Sequence, residues 1–122
     1  MIGDHCIAAI GDAYIKGVRN FDIEKAYEAM RKNAFESPAN KKDYQNGMGR
    51  RALQSYLKYG YIPLEDSVPD AFHTKEQVSR TLEYAYDDFV LSQVAKQLQK
   101  NEDYKLLSVR AWITVMWLTA NR

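Results

Sequence analysis

The residues best equipped for chemistry are carboxylates. The stretch Ser79 to Phe89, SRTLEYAYDDF, holds Glu83, Asp87 and Asp88 beside one arginine and three aromatics. Glu83 and Asp87 lie four apart, so on a helix they share a face with Arg80 and Tyr84. Such a set admits three chemistries: an acid–base pair, oxygen ligands for calcium, or a charged helix flank. The plainest reading is an Arg80–Glu83 ion pair on a solvated face, worth about 0.3–0.5 kcal/mol. The functional reading is a sugar pocket, where tyrosines stack on the apolar ring face and carboxylates accept from hydroxyls. Spacing by itself favours the solvated flank.

Other constellations are weaker. The three acids lack the spacing of an EF-hand loop. His5 and His73 stand alone, with no HxxxH or HExxH pairing, and His73 reads as a loop residue. His5, in Gly3-Asp4-His5, stands at the mouth of a helix. There it either meets a ligand or is a satisfied structural histidine. Cys6 is the sole cysteine, so no internal disulfide forms, and a buried, inert thiol is expected. There is no glycine-rich phosphate loop and no nucleophile elbow. With 17 basic and 16 acidic residues the net charge is +1, which gives no reason to expect nucleic acid or an anionic membrane as partner. Residues 1–15 lack a basic leader and an apolar run, so no signal peptide is read and the chain as written is cytoplasmic. No apolar run approaches the ~20 residues of a membrane span.

The elements that must position these groups are helices. Ile7, Ile10, Tyr14 and Val18 recur at steps of three and four, with Asp4 as N-cap and Gly17 near the end. A second helix starts at Asp22, carries Ile23, Ala26, Tyr27 and Met30 inward, and stops by Ser37-Pro38. Residues 36–48 read as a loop. A third helix covers about 49–59, with Leu53, Tyr56 and Leu57 inward and Gly60 as a left-handed C-cap. A connection with two prolines runs from Tyr61 to Phe72. Thr74-Lys75-Glu76-Gln77 has the form of a capping box. The fourth helix follows it to about Gln99, with Val78, Leu82, Ala85, Phe89, Val94 and Leu98 as its buried stripe. A fifth begins near Glu102. The expected fold is all-α, antiparallel helical hairpins.

Four motifs together carry a resemblance: G-D-H at Gly3 to His5, D-A-Y-x-K-G at Asp12 to Gly17, Y-G-Y-x-P at Tyr59 to Pro63, and T-L-E-Y-A-Y-D-D at Thr81 to Asp88. In order and spacing, residues 2 to about 110 resemble the catalytic domain of glycoside hydrolase family 92, the bacterial α-mannosidases. The resemblance implies part of an (α/α)6 toroid, placed in residues 1–111. It implies an exo-acting, inverting mannosidase acting on mannose-containing glycans, N-glycans or mannans. It also implies a calcium requirement in the full-length enzyme and export to the periplasm or outside the cell. Inversion uses two separated carboxyl groups, one protonating the leaving oxygen and one activating water.

The same resemblance places the family's acid in a T-E-G-N motif and its base in a G-N-x-D-x-G-Q motif. Neither occurs in this sequence. No catalytic role therefore passes to Glu83, Asp87 or Asp88. Together with Asp4 and His5 they are expected to line or buttress a substrate pocket, with no calcium ion assigned to this chain alone. A segment without its acid and base is expected to be inactive by itself, to need the remainder of the catalytic domain as partner, and to self-associate through uncovered apolar faces. The alternative is a standalone helical binding or scaffold protein. Residues 112–122 depart from the family pattern. One codon choice for Trp112 to Asn121, read two bases later, gives D-Y-R-N-V-A-D-R-E. That makes the segment read as a frame-shifted tail with exposed Trp112 and Trp117.

Overall fold

A computed structural model describes residues 3–69, 71 and 74–120, so His73 and Phe72 lie outside the described residues. Among the described residues there are six helices and no strand: α1 (His5–Ile15), α2 (Ile23–Phe35), α3 (Lys41–Gln45), α4 (Leu53–Tyr59), α5 (Gln77–Gln97) and α6 (Asn101–Ala120). The helical reading holds throughout.

Local chemistry accounts for the boundaries. The Asp22 side chain accepts from the Lys25 N–H at 3.0 Å, the N-cap expected of it. Gly60 ends α4 at φ +75°, as its C-cap reading requires. Three expectations need correction. The 36–48 segment is not all loop. The Asn40 side chain accepts from the Asp43 N–H at 2.8 Å and starts the short helix α3. The third predicted helix begins four residues late, because Gly49 and Ala52 take positive φ of 74° and 52° and keep residues 49–52 out of the α region. Thr74 does not cap α5, which starts at Gln77 behind Glu76. Instead the Gln77 Nε2 donates to the carbonyls of Asp66 (2.9 Å) and Thr74 (3.2 Å), tying the long connection to the helix start.

The packing centres on α5. Its most extensive partner is α6, joined to it by residues 98–100 as an antiparallel hairpin, and α1 and α2 lie against it as well. One apolar cluster gathers Ile7, Tyr27, Met30, Val90, Leu91, Val94 and Leu107. A second gathers Leu53, Tyr56, Ile62, Val68 and Tyr84. The α1–α5 crossing is close because Gly11 has no side chain: a Cβ there would lie 2.4 Å from Val90 Cγ1.

The stripe assigned to α5 is largely reversed. Ala85 and Val94 are buried, but Val78, Leu82 and Phe89 are exposed, and so is Leu57 on α4. The buried arc of α5 is instead polar in its first half: Gln77, Arg80, Thr81, Tyr84, Asp87 and Asp88. Periodicity located a stripe of the right spacing, but the helix buries its charges because cationic partners wait on α6 and the 49–52 segment. Arg80 is itself buried, so the solvated-flank reading of this face fails.

Candidate functional site

The start of α1 and the middle of α5 meet. The Asp4 N–H donates to Asp87 Oδ2 at 2.8 Å, although the two residues are 83 apart in sequence. Gly3 makes the approach feasible, since a Cβ there would sit 2.8 Å from Glu83 Cβ and 2.9 Å from His5 Cε1. Asp4 occupies the N-cap position of α1 but makes no side-chain cap hydrogen bond. Its Oδ2 lies 3.6 Å from Arg50 Nε instead. On the solvent side, His5 Nδ1 lies 3.6 Å from Glu83 Oε2, with both side chains 41% exposed. The G-D-H motif and the T-L-E-Y-A-Y-D-D motif therefore build one site, with His5 and Glu83 facing water and Asp4 and Asp87 beneath them.

Asp88 points elsewhere, as the next residue on a helix must. It is 0% exposed and is held by two arginines and a tyrosine. Arg110 donates from Nε (2.6 Å) and Nη2 (2.8 Å), a bidentate fork. Arg50 Nη1 donates at 2.7 Å and the Tyr56 hydroxyl at 3.0 Å. This network joins the two apolar clusters: Tyr56 belongs to one, and Arg110 stacks 4.8 Å over Phe35, which packs on the other. Asp88 is a buttress and does not line a surface.

The electrostatics follow from burial. Burial raises the Asp87 carboxyl from 3.8 to about 6, although the Asp4 N–H and the Arg50 guanidinium pull it down. Burial pulls Arg50 toward losing its proton, but Asp88, followed by Asp4 and Asp87, more than offsets this and holds it above its ordinary value. Burial pushes the Tyr84 hydroxyl to about 12, and its O–H donates to the Arg51 carbonyl at 3.0 Å.

Arg50, Tyr56 and Arg110 were not singled out as site residues. In the sequence, Arg50 and Arg51 are the only two adjacent basic residues of their segment, too short a run to read as a basic patch. The available signal was the Asp87-Asp88 pair itself, because buried carboxylates require cationic or N–H partners. Cys6 corrects a further expectation: it is free and exposed, since the next position, Ile7, takes the inward place on α1.

Calcium finds no fitting donor set here. No group of three acidic, histidine or cysteine side chains among the described residues could hold an ion. The Asp88 oxygens are filled by arginines and Asp87 Oδ2 by an N–H. What the site offers is a solvent-facing imidazole and carboxylate, able to donate to and accept from hydroxyl groups, above a rigid charged base.

Comparison with known proteins agrees with this geometry. Residues 1–115 match the glycosyl hydrolase family 92 catalytic domain. The chain is 38% identical to a solved family GH92 α-mannosidase from Bacteroides thetaiotaomicron, with a TM-score of 0.72, covering 91% of this chain and 13% of that one. The same enzyme solved with mannoimidazole gives the same identity and TM-score, with 12% of its chain covered. An uncharacterised secreted glycosidase of Arthroderma benhamiae is 34% identical over 103 residues, which is 83% of this chain and 13% of that protein. The chain thus spans about an eighth of the length of these relatives. The all-α architecture is that of helical hairpins from an (α/α)6 toroid, and the chain belongs to the glycoside hydrolase family 92 catalytic domain family.

Proposed function

We propose that this chain is a helical part of an exo-acting α-mannosidase that hydrolyses α-mannosidic linkages of N-glycans or mannans. His5 and Glu83 shape the wall of its mannoside pocket, with Asp4 and Asp87 fixing them and Asp88 buttressing α5 from behind. The observation that carries this is the contact between Gly3–His5 and Glu83–Asp87, two motifs of one glycosidase family brought together at a solvent-facing helix end. The relative solved with mannoimidazole supports a mannose-like ligand. The fungal relative, named as secreted, favours an exported enzyme over a cytoplasmic one. No helix among the described residues is long and apolar enough to cross a membrane.

The chain contributes positioning and no acid or base. Asp87 and Asp88 are both 0% exposed, so neither can reach a glycosidic oxygen or activate a bulk water. Glu83 is exposed but is paired with His5 and sits in neither acid nor base motif. The isolated chain is therefore inactive in this account, and no step runs through calcium. The test is kinetic. In a family catalytic domain carrying this segment, His5→Ala or Glu83→Gln should raise KM for an aryl α-mannoside by about tenfold or more. Unchanged KM and kcat in both variants would remove these residues from the pocket.

A further inference from the structure

Arg50 does more than a partner for Asp88 needs to do. The Arg110 fork already matches the Asp88 charge, and the Tyr56 hydroxyl adds a third hydrogen bond. Arg50 gives Asp88 only its Nη1, at 2.7 Å. Its Nε faces Asp4 Oδ2 at 3.6 Å, and Asp87 is a third carboxylate whose charge acts on it. Arg50 is 2% exposed, yet neither its Nε and Nη2 nor Asp4 Oδ2 has a hydrogen-bond partner among the described residues. Burying a guanidinium so incompletely satisfied costs stability, so stabilising the fold does not by itself account for it.

The backbone that delivers Arg50 is firmly held. Gly49 and Ala52 flank it at φ of 74° and 52°, and an alanine keeps that left-handed conformation only where its surroundings impose it. The Tyr84 hydroxyl donates to the Arg51 carbonyl at 3.0 Å, and the Tyr84 ring centroid lies 5.0 Å from Arg50 Cζ. The T-L-E-Y-A-Y-D-D motif thus grips the 49–52 segment from α5. The consequence falls on Asp4. An aspartate at a helix N-cap ordinarily turns its carboxylate onto the first amides. Asp4 makes no such bond: its carboxylate turns toward Arg50 and its backbone N–H toward Asp87.

We infer that Arg50 is a positioning residue of the mannoside pocket: it draws the Asp4 carboxylate away from the end of α1 and so fixes His5, the next residue, against Glu83. The inference rests on the assignment of His5 and Glu83 to the pocket wall. Without the guanidinium, Asp4 is free to cap α1, the first turn shifts, and the imidazole loses its place. Lysine keeps the charge as a single point and cannot serve Asp88 and Asp4 together.

The test compares variants of a family 92 catalytic domain carrying this segment, assayed on an aryl α-mannoside well below their melting midpoints. Arg50→Lys should raise KM by about three- to tenfold with kcat within about twofold of the parent. Asp4→Asn, which keeps the backbone N–H to Asp87, should do the same. The double variant should be no worse than the more affected single one, since both break one link. Asp103→Asn, which loosens the fold away from the pocket, should leave KM unchanged and so separates misplacement from general loss of stability. If Arg50→Lys gives no folded domain, Asp4→Asn decides alone: a raised KM supports the inference and an unchanged one overturns it. Single effects that multiply in the double variant would overturn it, as would a KM in Arg50→Lys that moves no more than in Asp103→Asn. Unchanged KM in the Arg50 and Asp4 variants beside a raised KM in His5→Ala and Glu83→Gln overturns the inference and leaves the pocket assignment standing. Unchanged KM in His5→Ala and Glu83→Gln as well removes both.

Discussion

Replacing Asp88 with asparagine probes the group on which the interior most depends. The side chain keeps its shape and one acceptor oxygen but loses its charge. Arg110 and Arg50 would then remain buried, 7% and 2% exposed, without a counterion at hydrogen-bond distance. Arg50 Nε and Nη2 and Arg110 Nη1 already have no hydrogen-bond partner among the described residues, and the Asp4 carboxylate stays 3.6 Å from Arg50 Nε, beyond hydrogen-bond distance. Each hydrogen bond to a charged group is worth about 1.5–3 kcal/mol, but the four on Asp88 share one charge and do not add. The better guide is the cost of breaking a buried ion pair from one side, about 3–5 kcal/mol. For a chain of 122 residues the unfolding entropy is about 0.26 kcal/mol/K, so the melting midpoint should fall by roughly 12–20 °C. Urea and thermal unfolding followed by circular dichroism measure this. The triple variant Asp88→Asn/Arg50→Met/Arg110→Met separates causes: if stranded charge is the problem, it should recover part of the loss. A single-variant loss under about 1 kcal/mol, or a triple variant no better than the single one, would refute the claim that the buried arginine pair depends on Asp88.

Other consequences are equally concrete. Asp87 has a folded pKa near 6 against 3.8 ordinarily, so it binds its proton more readily when folded. It favours folding at low pH and opposes it increasingly as pH rises from about 4 to 6. Asp87→Asn, which keeps an acceptor for the Asp4 N–H, should gain stability relative to the parent over that window, and equal urea midpoint differences at pH 4 and pH 7 would contradict this. Gly11→Ala should destabilise by about 1–3 kcal/mol despite alanine's better helix propensity, because its Cβ would meet Val90 Cγ1 at 2.4 Å. Adding Val90→Ala should relieve the clash, and a stabilised Gly11→Ala chain would show that α1 can shift instead. Asp103 accepts from Arg31 Nε (2.7 Å) and the Tyr27 hydroxyl (2.7 Å), with its pKa lowered first by the Arg31 hydrogen bond. Asp103→Asn should cost about 1–2 kcal/mol at neutral pH and much less once pH falls below the folded carboxyl's pKa, which acid titration of the two chains compares.

The sequence carried the helices well where the signal was local. Asp22 and Gly60 announced boundaries through side-chain capping and backbone handedness, which need no tertiary context. It failed where partners decide. The Thr74 box was overridden because the Gln77 amide donates instead to the Asp66 and Thr74 carbonyls ahead of the helix. The inward face of α5 was misread because hydrophobicity assigns burial to Val78, Leu82 and Phe89, while the fold buries Asp87 and Asp88 beside arginines contributed from 38 and 22 residues away. Of the expected site residues, Asp4, His5, Glu83 and Asp87 converge, and the motif resemblance had grouped them before any geometry did. Asp88 belongs to the group by sequence, but it lies about 100° further round the helix than Asp87, which turns it toward Arg50, Tyr56 and Arg110.

The central claim is that this segment shapes a mannoside pocket without supplying its acid or base. The measurement that meets it most directly is an α-mannosidase assay of the purified 122-residue chain, with and without calcium, beside the same segment within a complete family 92 catalytic domain. The account predicts no turnover of an aryl α-mannoside by the chain alone under either condition, and turnover by the complete domain that weakens when His5 or Glu83 is replaced. Turnover by the isolated chain, abolished by Glu83→Gln, would contradict it and move the catalytic carboxylate into α5.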